Sequence, residues 1–176
     1  RAGAAGIACQ KLSEAEVMVA GGVVTDTLIP YNIVGAAKLA RLTALARQAP
    51  VTVAADSDYT VDGLAAAARA AGVVLRVVVE LGRGRTGVPS PTAAAALGQR
   101  IHADPHLELR GIMVMPSPPE VRPLLQETLA RFDQGGLPHP VVSGGSTPTA
   151  FTAHQLPELT EHRAGEYCVG GQSHLR

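Results

Sequence analysis

Cysteine, lysine and aromatic residues are scarce in this 176-residue chain, and each shortage closes off a class of protein. The two cysteines, Cys9 and Cys168, stand at opposite ends in no metal-ligand spacing. That excludes a disulfide scaffold and a cysteine-based zinc module, and makes a reducing, cytoplasmic compartment the default. Basic residues are almost all arginine, the lysines being Lys11 and Lys38 alone. Charge of one sign is not in surplus, since 15 basic residues balance 15 acidic ones. No counterion-releasing patch for nucleic acid and no polybasic run for a membrane surface follow from such a balance. Long hydrophobic runs are missing too: residues 73–79 are interrupted by Arg76 and fall far short of a bilayer span. The chain opens at Arg1, so its start carries no targeting information.

What is present is a 46% hydrophobic, 17% charged composition, enough for one domain with a buried core. Strands are expected at residues 6–9, 27–30, 51–55, 75–80, 111–115, 141–143 and 166–169. Most are continuous apolar runs, not alternating ones, as in a parallel sheet covered on both faces. Between them lie Ala/Leu-rich helical stretches with start and stop signals. Ser13-Glu14-Ala15-Glu16 has capping-box spacing, Ser90-Pro91 opens a helix over 92–103, and Gly72 ends one over 61–71. A further helix is expected over 35–48. Repeated β-α units leave two architectures, an open doubly wound sheet or a closed barrel. No dinucleotide glycine fingerprint follows the first strand.

Three stretches carry candidate chemistry. Ser143-Gly144-Gly145-Ser146-Thr147-Pro148-Thr149 follows a strand and precedes a helical segment. Its glycines allow close backbone approach to an anion and its hydroxyls add donors, although the same pattern makes an ordinary capped turn. At another strand end, Glu80-Leu81-Gly82-Arg83-Gly84-Arg85-Thr86-Gly87-Val88 offers two cations among three glycines. Arg83 reads as a solvated turn residue. The third stretch, Arg163-Ala164-Gly165-Glu166-Tyr167, offers backbone amides. His102 and His106 are separated by a helix end and do not share a face, and His154 and His162 read as helix and loop residues.

Together these segments resemble the D-threonine aldolase and D-serine dehydratase family, which shares its barrel with alanine racemases, the pyridoxal-phosphate enzymes of fold type III. The resemblance is carried by Cys9-Gln10-Lys11-Leu12-Ser13-Glu14-Ala15-Glu16, by Leu28-Ile29-Pro30-Tyr31-Asn32-Ile33-Val34-Gly35, and by the three stretches above. It runs from Arg1 to about Val169. It implies an α/β fold, an incomplete (β/α)8 TIM-type barrel of about seven strands, with residues 1–176 as one partial cofactor-binding domain. The cofactor lysine belongs to a strand preceding everything here. Lys11 falls on the second-strand motif and Lys38 in a helix. A C-terminal β domain carrying divalent metal ligands (manganese or zinc) would follow, so the catalytic groups lie outside this chain.

The resemblance assigns Ser143, Gly144, Gly145, Ser146 and Thr147 to the cofactor phosphate, joined by the amides of Gly165 and Glu166. It places Arg85 against the phenolic oxygen and Arg163 against the pyridine nitrogen. Gln10, Tyr31 and Asn32 would stand at strand ends facing the site. In place of the family's histidine or tyrosine the chain reads Met113-Val114-Met115, and its last seven residues leave the pattern. The implied parent is a lyase of β-hydroxy D-amino acids, a D-threonine aldolase or a D-serine dehydratase, homodimeric and binding neither nucleic acid nor membrane. A non-catalytic cofactor-binding barrel is the rival, and the isolated chain is expected to be inactive.

Overall fold

β-branched runs and helical stretches alternate along the computed structural model, which describes residues 4–22, 26–82 and 86–166. In chain order these are β1 (Gly6–Ala8), α1 (Leu12–Ala20), β2 (Asp26–Ile29), α2 (Ala36–Ala46), β3 (Val51–Ala55), α3 (Asp58–Ala71), β4 (Leu75–Leu81), α4 (Pro91–Ala103) and β5 (Leu107–Val114). A short 3-10 helix, Pro119–Val121, leads into α5 (Arg122–Gln134), followed by β6 (Val141–Gly145), a second 3-10 helix, Ala150–Gln155, and β7 (Glu161–Arg163). All seven strands are parallel and lie in sequence order, forming a nearly closed barrel wrapped by helices. Among the described residues no helix is long and apolar enough to cross a membrane.

The helix signals act as read at two ends. Ser90 Oγ accepts from the Ala93 amide at 3.2 Å with Pro91 in the first turn, and Gly72 closes α3 at φ 63°. Ser57 caps the start of α3, a signal the sequence reading passed over. The expected capping box at Ser13 is displaced. Helix α1 begins at Leu12, and Glu14 accepts from the amides of Gln10 and Lys11 at 2.8 and 3.4 Å. The reason lies in the partner of Glu16, which is ion-paired with Arg41 and is not free to cap.

The last expected strand falls almost wholly outside the described residues, and a strand that was not expected precedes it. Residues 167–169 lie outside the described residues, Glu166 is not in a strand, and β7 is Glu161-His162-Arg163. Nothing in that tripeptide is apolar. It becomes a strand by pairing with β6, Ser143 opposite Glu161 and Gly145 opposite Arg163.

Two layers of apolar side chains hold the sheet. Ile29, Val53, Val79, Ile112 and Val114 face outward and pack with Leu42, Leu64, Ile101, Leu125 and Phe132 from the helices. Each such side chain contributes roughly 1.5–3 kcal/mol by burial. Inside the barrel, among the described residues, the buried apolar cluster is a thin belt: Leu28, Ala54, Val78 and Met113, with Val141 against them. On the amino side of that belt, Arg76 pairs with Asp26 (3.9 Å) and Glu108 (3.4 Å), and Arg110 with Glu108 (2.7 Å). Strand β5 has a bulge, its register against β4 stepping from Val77–Leu109 to Val78–Gly111. Gly111 is required there, having φ +130° and Val141 O only 2.0 Å from where a Cβ would stand.

Candidate active site

Strands in a parallel barrel all end at one rim, so residues far apart in sequence converge there. At the carboxyl side of the apolar belt, Arg163 ends β7 and turns inward. Its Nε donates to Ser143 Oγ at 2.8 Å, one terminal nitrogen to Val114 O at 3.1 Å and the other to Met115 Sδ at 3.4 Å. All three acceptors are neutral. Burial pushes the guanidinium below its ordinary value, against the pull of Glu161, Glu80 and Tyr31. An arginine stays charged even so.

Beside it opens a cavity of about 270 Å³ lined by Pro30, Tyr31, Glu80, Thr86, Met113, Met115 and Pro116. Glu80 is almost buried and accepts from Thr86 Oγ1 at 2.7 Å. The Gly87 amide donates to Asp56 at the end of β3, at 3.1 Å. These bonds fix one flank of the segment that carries Arg85, which itself lies outside the described residues together with Arg83. Met113 completes the belt while Met115 forms the exposed lip, where the resemblance leads one to expect an aromatic ring.

The 143–149 segment is less of a loop than its composition suggests. Ser143, Gly144 and Gly145 are the last residues of β6, and the element after the turn is a six-residue 3-10 helix, so no full α-helix N-terminus faces the site. Neither glycine has positive φ. They are needed for close approach: a Cβ on Gly145 would lie 2.8 Å from Arg163 O, and one on Gly144 would lie 2.6 Å from Leu159 and 2.8 Å from Ser117 Oγ.

Several amides of the segment already have protein partners. Gly145 N donates to Ser117 Oγ (2.9 Å), Ser146 N to Thr149 Oγ1 (3.0 Å) and Glu166 N to Thr147 Oγ1 (3.0 Å). The amides of Thr147 and Gly165 have no acceptor among the described residues, and space beside Gly165 is open. These two amides and the Ser146 hydroxyl, which is 3.4 Å from Thr149 Oγ1, are donors of the kind that holds an anion, a candidate cradle.

The structure therefore brings Ser143, Gly144, Gly145, Ser146, Thr147, Arg163, Gly165 and Glu166 to one rim, and divides their work. Ser143 holds Arg163, and Glu166 N holds Thr147. Tyr31 reaches the cavity, Asn32 Oδ1 is buried with no partner among the described residues, and Gln10 is exposed. Lys11 occupies the N-cap position of α1 with no side-chain capping bond, and Lys38 lies on α2, both exposed. Ser117 was missed as a site residue, Glu80 was named only as the start of the second stretch, and His162, read as a helix or loop residue, lies on β7. Their partners are 28, 6 and 16 residues away and give no local sequence signal.

Free amide donors, an inward arginine and a neighbouring cavity lined by Tyr31 and two methionines are donor and surface types that fit a phosphorylated aromatic ligand such as pyridoxal phosphate. Among the described residues no group of three or more His, Cys, Asp or Glu could hold a metal ion. The donor set for the divalent metal implied by the resemblance is not in them.

Fold and rim define an α/β barrel with a candidate site at the strands' carboxyl ends. The chain belongs to the family of the alanine racemase N-terminal domain, whose model matches residues 1–173. It is 30% identical to the 3-hydroxy-D-aspartate aldolase of Paracoccus denitrificans (strain Pd 1222) over 94% of this chain and 47% of that protein. It is 39% identical to the D-threonine aldolase of an Arthrobacter species over 62% and 29%. The D-threo-3-hydroxyaspartate dehydratase of a Delftia species (strain HT23) is 32% identical over 94% and 48%. Among solved structures, the D-threonine aldolase from Filomicrobium marinum superposes with a TM-score of 0.84 at 30% identity, covering 94% of this chain and 49% of that one. The chain thus spans about half the length of the longest-matching curated relatives.

Proposed function

We propose that this chain is the cofactor-binding barrel of a pyridoxal-phosphate lyase acting on β-hydroxy D-amino acids, of the D-threonine aldolase type. The observation that carries the reading is the rim itself, where Arg163, hydrogen-bonded to neutral acceptors, lies beside the Met115 lip of the cavity, and where the Thr147 and Gly165 amides have no acceptor among the described residues. The 30–39% identity to aldolases of β-hydroxy D-amino acids supports the substrate class. Bound there, the cofactor would act as the electron sink for cleavage of a bond at the substrate's Cα. The Thr147 and Gly165 amides would hold the phosphate, and Arg163 would meet the ring nitrogen. Tyr31 and Met113 would wall the ring, while Glu80 and Asp56 would brace the segment bearing Arg85, the partner of the phenolic oxygen.

Cleavage by an aldolase gives glycine and an aldehyde. The second reading, a dehydratase releasing ammonia, is favoured by the Delftia relative. A non-catalytic cofactor carrier is favoured by the methionines where the family has an aromatic.

Binding and chemistry are tested separately. Purified chain should bind pyridoxamine 5'-phosphate, followed by the ligand's own fluorescence, more tightly than unphosphorylated pyridoxamine. Equal affinity for the two would remove the phosphate site and the proposal with it. In a version extended to carry a lysine strand and a metal-binding domain, D-threonine should yield glycine and acetaldehyde. Ammonia without aldehyde from a β-hydroxy D-amino acid would select the dehydratase, and binding with neither product would select the carrier.

A further inference from the structure

His162 lies on β7 between Glu161 and Arg163, opposite Gly144, and its ring turns away from the barrel interior where Arg163 points. Its Nε2 is 3.0 Å from Ser146 O. A carbonyl oxygen only accepts, so Nε2 carries the proton and donates. Nδ1 is then the bare nitrogen, and it is buried with no partner among the described residues. The ring therefore has one polar task.

That task bears on the cradle. The 146–147 peptide is trans, so its carbonyl and its amide point in opposite directions. Whatever fixes Ser146 O on the wall side also aims Thr147 N–H toward the open side. Thr149 makes two bonds to the same oxygen, from its amide (3.2 Å) and its hydroxyl (3.1 Å), but both come from within the turn and move with it. His162 comes from a different strand, the one that leads two residues later into Ala164 and then Gly165. The imidazole ties the turn bearing one cradle amide to the strand leading to the other. A second tie, Glu166 N to Thr147 Oγ1, joins the same two segments beyond Gly165.

We infer that His162 is a positioning residue of the phosphate cradle: through Ser146 O it sets the direction of the Thr147 amide relative to that of Gly165. The inference rests on the cofactor-binding reading above and adds a residue to it.

The experiment compares His162→Leu, which fills the space without a donor, with His162→Gln, whose side-chain amide can still reach the carbonyl. Each purified chain is titrated with pyridoxamine 5'-phosphate and with pyridoxamine, after circular dichroism has shown native helix content. The Leu variant should lose roughly three- to tenfold in affinity for the phosphorylated ligand, the worth of one ordinary hydrogen bond. It should keep its affinity for pyridoxamine, and the Gln variant should regain most of the loss. An unchanged phosphate preference in the Leu variant would overturn the inference. So would an equal loss in Leu and Gln variants, or a loss shared by both ligands, since either marks a packing effect. Failure of the unaltered chain to prefer the phosphorylated ligand would instead remove the cofactor reading, and the inference with it.

Discussion

Arginine stands at both ends of the barrel interior, in opposite company. On the amino side of the apolar belt, Arg76 and Arg110 face Asp26 and Glu108, and the side chains of Arg76 and Asp26 are 36% and 54% exposed. Charge meets charge in the presence of water, an arrangement worth little to stability and with little attraction left for a ligand. On the carboxyl side, Arg163 is bonded to a hydroxyl, a carbonyl and a thioether, and its nearest acidic neighbours act on it only at longer range. One end is neutralised within itself. The other holds a cation in place without satisfying it, which is what a site for an electron-rich ligand requires.

Substitutions at the two ends should separate accordingly. Arg163→Met should lower affinity for pyridoxamine 5'-phosphate by roughly ten- to a hundredfold, the range for a hydrogen bond to a charged group. A titration showing no change would mean the two ends are alike after all. Gly145→Ala should cost about 1–3 kcal/mol in urea unfolding, because its Cβ would press on Arg163 O and part β6 from β7. Cofactor affinity would fall with it, and an alanine variant as stable as the unaltered chain would show that the strands separate freely there.

Ser90→Ala, at the carboxyl-end rim but away from the cavity, should cost about 1 kcal/mol through the lost cap and leave ligand affinity alone. Altered ligand binding in that variant would extend the site to the start of α4. Arg76→Met should be the mildest, within about 1 kcal/mol in stability. A larger destabilisation, read by the same urea unfolding, would give the amino-end ion pairs a structural weight that their exposure argues against.

The barrel was legible wherever strands are made of apolar β-branched residues. The 51–55 and 75–80 runs announce buried parallel strands because both faces must be covered, one by helices and one by the interior belt. Glu161-His162-Arg163 carries no such pattern, since its fold comes from pairing with β6 and from what Arg163 does inside. The glycine- and hydroxyl-rich 143–149 segment was legible as a candidate site by composition. Its division of labour was not. Ser143 bonds an arginine twenty residues on, and Ser117 locks Gly145 from another connection. The glycines make room for protein neighbours, Arg163 O beside Gly145 and Leu159 with Ser117 beside Gly144, where composition alone suggested room for an anion. Arg85 rests on the family resemblance alone and lies outside the described residues.

The bulge in β5 carries a consequence beyond the bend it makes. Leu107 and Leu109 face the helices before it, and Ile112 and Val114 face them after it, so the odd-numbered and even-numbered residues exchange sides within one strand. The added residue is thus a phase shifter. It lets the amino half of the strand offer Glu108 to the ion pairs while the carboxyl half offers Met113 to the belt and Val114 O to Arg163. Removing a single residue at 110–111 would put the strand back in phase, and either the ion pairs at one end or the floor of the site at the other would be turned inside out.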